Sequence, residues 1–92
     1  MVELVEDLPE VRAALDSLDA LQKKETARLV QVVLDRLPGH YGDALEWKYI
    51  EGLSVAEIAS RLGVATKATE SLLARARVAF RDAFSALQGV QA

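Results

Sequence analysis

Apolar residues recur at helical spacing along most of the chain, and three interruptions divide them into blocks. From Pro9, which suits a first helical turn, Val11, Ala14, Leu15, Leu18 and Leu21 predict a helix near residues 9–20. Leu29, Val30, Val33, Leu34 and Leu37 repeat the pattern and predict a second helix from about Lys23, with one continuous helix through both blocks as the alternative. Pro38, Gly39 and Gly42 then punctuate the chain. Leu45, Trp47, Tyr49 and Ile50 place a short third helix within 41–51, which Gly52 ends.

The strongest local signal follows. Ser54 and Glu57 stand three apart in the order of a capping box, so a helix starts at Val55. Gly63 stops it after Leu62, because glycine enters the left-handed region without a Cβ clash. Thr66, or less well Ala65, then caps a longer helix that meets no glycine or proline until Gly89. Ile58, Ala59, Leu62, Val64 and Leu73 are apolar across this turn, with the small Ala59 allowing a close helix crossing and Val64 plugging the turn into the core. The pattern is a helix-turn-helix. A generic helical hairpin is the competing reading. The predicted fold is all-α, a bundle of four to five helices with a C-terminal helix-turn-helix of the winged-helix-like class, without a wing.

Charge changes the picture by its distribution rather than by its sum. The net charge of -3 lies in residues 1–36, which hold eight acids and five bases, whereas residues 37–92 hold six of each. An acidic front and a neutral rear with clustered arginines are different surfaces. With no cysteine, neither disulfides nor thiolate metal sites arise. His40 is the single histidine and has no paired carboxylates near it in sequence, so catalysis, a metal and a cofactor are not expected. The acidic start MVELVEDLPE is unlike a signal peptide, and no apolar run nears the roughly 20 residues of a membrane span. A soluble, cytoplasmic protein is the expectation.

Beyond the general pattern, Leu37-Pro38, Leu45, Tyr49, the run Glu51-Gly52-Leu53-Ser54-Val55-Ala56-Glu57-Ile58-Ala59, Leu62-Gly63-Val64 and Glu70-Ser71-Leu72-Leu73-Ala74-Arg75-Ala76-Arg77 resemble region 4 of bacterial sigma factors. The likeness is closest to the extracytoplasmic-function (ECF) group of the sigma-70 family and covers about residues 26–84. It implies a four-helix domain that binds the minus-35 promoter element with its last long helix in the major groove. It also implies docking on the β flap of RNA polymerase and masking by an anti-sigma factor. Region 2, which a complete factor of this group carries, has no counterpart, so the chain resembles an excised or free-standing region 4. Its expected parts are an acidic linker or N-terminal helix (1–25), the domain (26–88) and a disordered tail (89–92). The stripe Val11, Leu15, Leu18 and Leu21 is a candidate for self-association as a homodimer or for anti-sigma contact. A response-regulator output domain fits less well, because of the Leu-Pro entry and the terminal Ala-Arg-Ala-Arg.

Along the long helix Thr69, Leu73, Ala76, Phe80, Phe84 and Leu87 share one stripe and are assigned to the core. The opposite side carries Lys67, Glu70, Ser71, Ala74, Arg75, Val78 and Arg81, with Thr66 at the start. A recognition helix reads base edges with its N-terminal part, and phosphates take arginines and helix-start N–H groups. The candidate DNA-binding set is therefore Thr66, Lys67, Glu70, Ser71 and Arg75, with Arg61 and Lys48 as phosphate contacts that would look the same as solvated surface charges. Many family members carry threonine, lysine and arginine at the positions of Ala68, Glu70 and Leu72, although the Lys-Ala-x-Glu-Ser run resembles a recurrent variant. Glu70 either accepts from a cytosine amino group or only stabilises the helix start through the dipole. Leu72 is assigned to the core side. Arg75 and Arg77 stand about 200 degrees apart at 3.6 residues per turn, so Arg77 is assigned an internal salt bridge, to Glu57 or another acid. The alternative to promoter recognition is a protein-interaction module that binds an anti-sigma factor, the polymerase flap or a dimer partner and touches DNA little.

Overall fold

Five α-helices and one π-helical turn carry most of the described residues, and no strand occurs among them. The computed structural model describes Leu4, residues 7–16 and residues 18–91, excluding the side chains at 10, 11, 14, 15 and 88–91. The helices are α1 (Pro9–Asp16), α2 (Ala20–Arg36), α3 (Tyr41–Leu45), α4 (Val55–Leu62) and α5 (Thr66–Gln91), with the π turn Glu46–Ile50 continuing α3. The first two blocks are separate helices. Asp19 opens α2 with its own capping box, accepting the Gln22 N–H at 2.8 Å and donating its N–H to the Gln22 side chain at 3.0 Å.

Helix α5 is the hub, packing against α3, α4, α2 and α1. Its 26 residues span about 39 Å at 1.5 Å per residue, which accounts for the 40 Å long axis of a molecule only 21 × 19 Å across. The core is its apolar stripe: Leu73, Ala76, Phe80 and Phe84 are buried against Val30, Val33, Leu34, Ala44, Leu45 and Ile58. Thr69 is also fully buried, and its hydroxyl donates to the Ala65 carbonyl at 3.1 Å, so its polar atom is satisfied. Leu72 packs at the edge of this cluster, as assigned.

Several expectations change. Val64 is 47% exposed and does not plug the turn. Backbone bonds hold the turn instead: the Val64 N–H reaches the Ala59 carbonyl at 3.1 Å and the Gly63 N–H the Ser60 carbonyl at 3.3 Å, a Schellman closure around a left-handed Gly63 (φ 69). Thr66 is the first residue of α5 rather than its cap, a position that falls to Ala65. Helix α5 continues past Gly89 to Gln91, through the segment expected as a tail. The division drawn at residue 25 falls inside α2.

The first segment adds to the core as well. Leu4 and Leu8 are buried in it, whereas Leu21 is exposed and Leu18 half-buried. The Val11 and Leu15 side chains, also named for the N-terminal stripe, lie outside the described residues.

Candidate nucleic-acid interface

Helices α4 and α5 form the helix-turn-helix, and local chemistry defines both sides of the turn. Ser54 Oγ accepts the Glu57 N–H at 3.1 Å while the Glu57 carboxylate accepts the Ser54 N–H at 3.2 Å, so α4 starts where the capping box predicts. Ile58 and Ala59 turn inward, and with Leu73 they seat the start of α5 against α4. The chain leaves Gly63 with Val64, Ala65, Thr66, Lys67 and Ala68 all exposed. Ala65 has no side-chain acceptor, so no side chain at the cap position competes for the first N–H groups of α5.

On α5 itself Lys67, Glu70, Ser71, Ala74, Arg75 and Val78 are all exposed, opposite the buried stripe. From Lys67 to Arg75 this face runs about 12 Å along the axis, about the width of a B-DNA major groove. Its charge is mixed, with Lys67 and Arg75 flanking Glu70. Thr66 stands at the front edge of the same face.

The remaining candidates are not on that face. Arg61, at the end of α4, lies 3.9 Å from the Glu51 carboxylate, and its guanidinium sits 5.3 Å from the centre of the Trp47 ring. Lys48, in the π turn, has its ammonium 5.8 Å from the Tyr49 ring centre. Arg61 is exposed and Lys48 half-buried. Arg81 is half-buried and bonds Asp82 at 3.3 Å.

Arg77 has an internal role, but not with Glu57. Its Nη1 donates to the Tyr49 hydroxyl at 3.2 Å, and that hydroxyl donates to the Asp7 carboxylate at 2.6 Å. The relay from α5 through the π turn to the N-terminal segment was not anticipated. Its only sequence signals are the tyrosine four residues after Leu45 and the leucines at 4 and 8.

Burial, and then the Asp7 bond, raise the Tyr49 hydroxyl above its ordinary pKa of 10.0, with Arg77 opposing. Because the folded value is the higher one, this contribution is fully present below the unfolded pKa and lost as pH rises through the folded one. Denaturation midpoints at about pH 8 and about pH 11 should therefore fall more for the native chain than for Tyr49→Phe. An equal fall would show that the hydroxyl does not contribute to alkaline stability.

Away from this face, an open groove of about 120 Å³ lies between α2 and α5, lined by Val32, Val33, Arg36, Leu37, Ala83 and Leu87. Among the described residues no three histidine, aspartate or glutamate side chains are placed to hold a metal ion, and no helix is long and apolar enough to cross a membrane.

Neither a curated protein nor a solved structure matches the chain significantly. The family described as Sigma-70, region 4, matches residues 27–80, from within α2 to the middle of α5, and so takes in α4, the turn and the part of α5 that carries the Thr66–Arg75 face. The match covers more than half of the 92 residues and ends at Phe80 in the core stripe, and by it the chain belongs to the sigma-70 region 4 family.

Proposed function

We propose that this domain recognises the minus-35 promoter element as region 4 of an ECF-group sigma factor and docks on the β flap of RNA polymerase to start transcription in the cytoplasm. One observation carries the reading: α5 buries Thr69, Leu73, Ala76 and Phe80 on one side and leaves Thr66, Lys67, Glu70, Ser71 and Arg75 exposed on the other. A helix fixed by its back can enter a groove with its front.

Arg75 and Lys67 take phosphates or guanine, Ser71 and Thr66 hydrogen-bond nearby, and Glu70 accepts from a cytosine amino group. Arg61 and Lys48 reach phosphates at the flanks. With so few basic contacts and a net charge of -3, DNA binding by the domain alone is weak and salt-sensitive, and the polymerase supplies the rest. The protein partners, polymerase and an anti-sigma factor, have apolar surface elsewhere, at Leu21 and Val32 on α2 and at the groove beside Leu87.

Fluorescence anisotropy with promoter duplexes tests this. Lys67→Ala and Arg75→Ala should each weaken binding and lower the salt slope by about one, whereas Glu70→Ala should relax preference at one base pair with little change in slope. Unchanged affinity and slope in both basic variants would place the DNA contact elsewhere.

A further inference from the structure

The family match begins at residue 27, yet Leu4 and Leu8 are 2% and 6% exposed inside the core that the matched helices build. Between the two leucines, Asp7 accepts the Tyr49 hydroxyl at 2.6 Å, and the hydroxyl oxygen in turn accepts from Arg77 at 3.2 Å. Three residues in the pattern Leu-x-x-Asp-Leu thus engage the domain by two apolar anchors and one charge-assisted polar bond.

The start of α2 does not depend on this segment. The segment is followed by α1, of only eight residues, and then by Asp19, whose box with Gln22 caps α2 without help from anything upstream. Lifting the residues before Leu18 leaves the α2 start satisfied. What it uncovers is the apolar slot that holds Leu4 and Leu8, edged by Tyr49 and Arg77, together with the stretch of α5 on which α1 packs.

We propose that this slot is a receptor for the Leu4-x-x-Asp7-Leu8 segment in general, filled in cis by the chain's own N-terminus and, on lifting, by the same segment of a second copy. Identical residues make identical contacts in trans, which is the condition for exchange of an element between protomers. The slot lies on the core side of α5, away from the Thr66–Arg75 face, so the proposal does not rest on the promoter reading. Exchange leaves that face open.

The test uses the full chain and a fluorescein-labelled peptide of residues 1–16. Intact chain should bind the peptide weakly, because the cis segment occupies the slot. The full-length variant Leu4→Ala/Leu8→Ala should bind it at least about tenfold more tightly, since the competing occupant is removed. A peptide carrying Asp7→Ala should bind that variant more weakly than the native peptide. Retained helical circular dichroism and a cooperative melt show that the receptor is folded. Should the double variant not fold, full-length Asp7→Ala replaces it as receptor under the same required inequality. Equal peptide affinity for a folded variant and for the intact chain, or no difference between native and Asp7→Ala peptides, overturns the proposal.

Discussion

Phe80→Ala is expected to remove a large share of the stability of this domain. Phe80 is 1% exposed and stacks on Phe84 with ring centres 6.0 Å apart, within the buried cluster that α5 shares with the other helices. Truncating such a ring costs about 3–5 kcal/mol, the transfer term plus the cavity left behind. A chain of this length has only about 5–14 kcal/mol in total. At about 4–8 °C per kcal/mol the melting temperature should fall by at least about 12 °C. Arg75→Ala, on the exposed face of the same helix, should stay within about 0.5 kcal/mol of the native chain. Thermal melts by circular dichroism decide it, and a Phe80→Ala melt within a few degrees of native would mean that the buried stripe is not what holds α5.

Gly42→Ala should be the next most damaging change, for a reason of space. Gly42 is buried in α3 with ordinary helical backbone, so a side chain meets no conformational barrier there. A Cβ at this position would stand 2.0 Å from the Leu34 carbonyl oxygen and 3.1 Å from its carbon. Both are main-chain atoms of α2 and cannot rotate aside. Helix α3 would have to retreat from α2 and loosen Leu34, Ala44 and Leu45 together. Overpacking of this kind costs about 1–3 kcal/mol, and more where backbone must move, which exceeds the gain of about 1 kcal/mol from alanine's helix propensity. Gly52→Ala, which meets open space and only a left-handed backbone (φ 76), is the comparison. A Gly42→Ala melt above that of Gly52→Ala would contradict the close helix approach.

These two residues mark what the sequence made legible and what it did not. Phe80 is visible because α5 obeys a 3.6-residue period from Thr69 to Leu87, and a long period is hard to mistake. The Ser54–Glu57 box and Gly63 are legible for a related reason: each is a local device whose partners lie within a few residues. Gly42 reads from sequence only as a loop signal, since its role depends on a carbonyl eight residues earlier on another helix.

The same limit hid the Asp7–Tyr49–Arg77 relay, whose members are 42 and 28 residues apart. Val64 failed for the opposite reason. An apolar residue after a glycine turn suggests a plug, but the Schellman bonds already closed the turn and left the valine in solvent. Along α5, periodicity separated the buried Thr69, Leu73, Ala76, Phe80 and Phe84 from the exposed Lys67, Glu70, Ser71, Ala74, Arg75 and Val78, whereas Arg81, placed at the front, and Leu87, placed in the core, are both half-buried. Periodicity could not say that Arg77, two residues after Arg75, is spent on a tyrosine.

The proposed function requires the front of α5 to read DNA. Its most direct test is selection of bound duplexes from a randomised pool by the chain joined to a region 2 and assembled with RNA polymerase core, run beside Lys67→Ala and Arg75→Ala. One short motif should be enriched by the native chain, with its enrichment weakened or altered in each variant. The same motif, enriched equally by native chain and both variants, would contradict that requirement, and no enrichment at all would leave the domain as a protein-binding module.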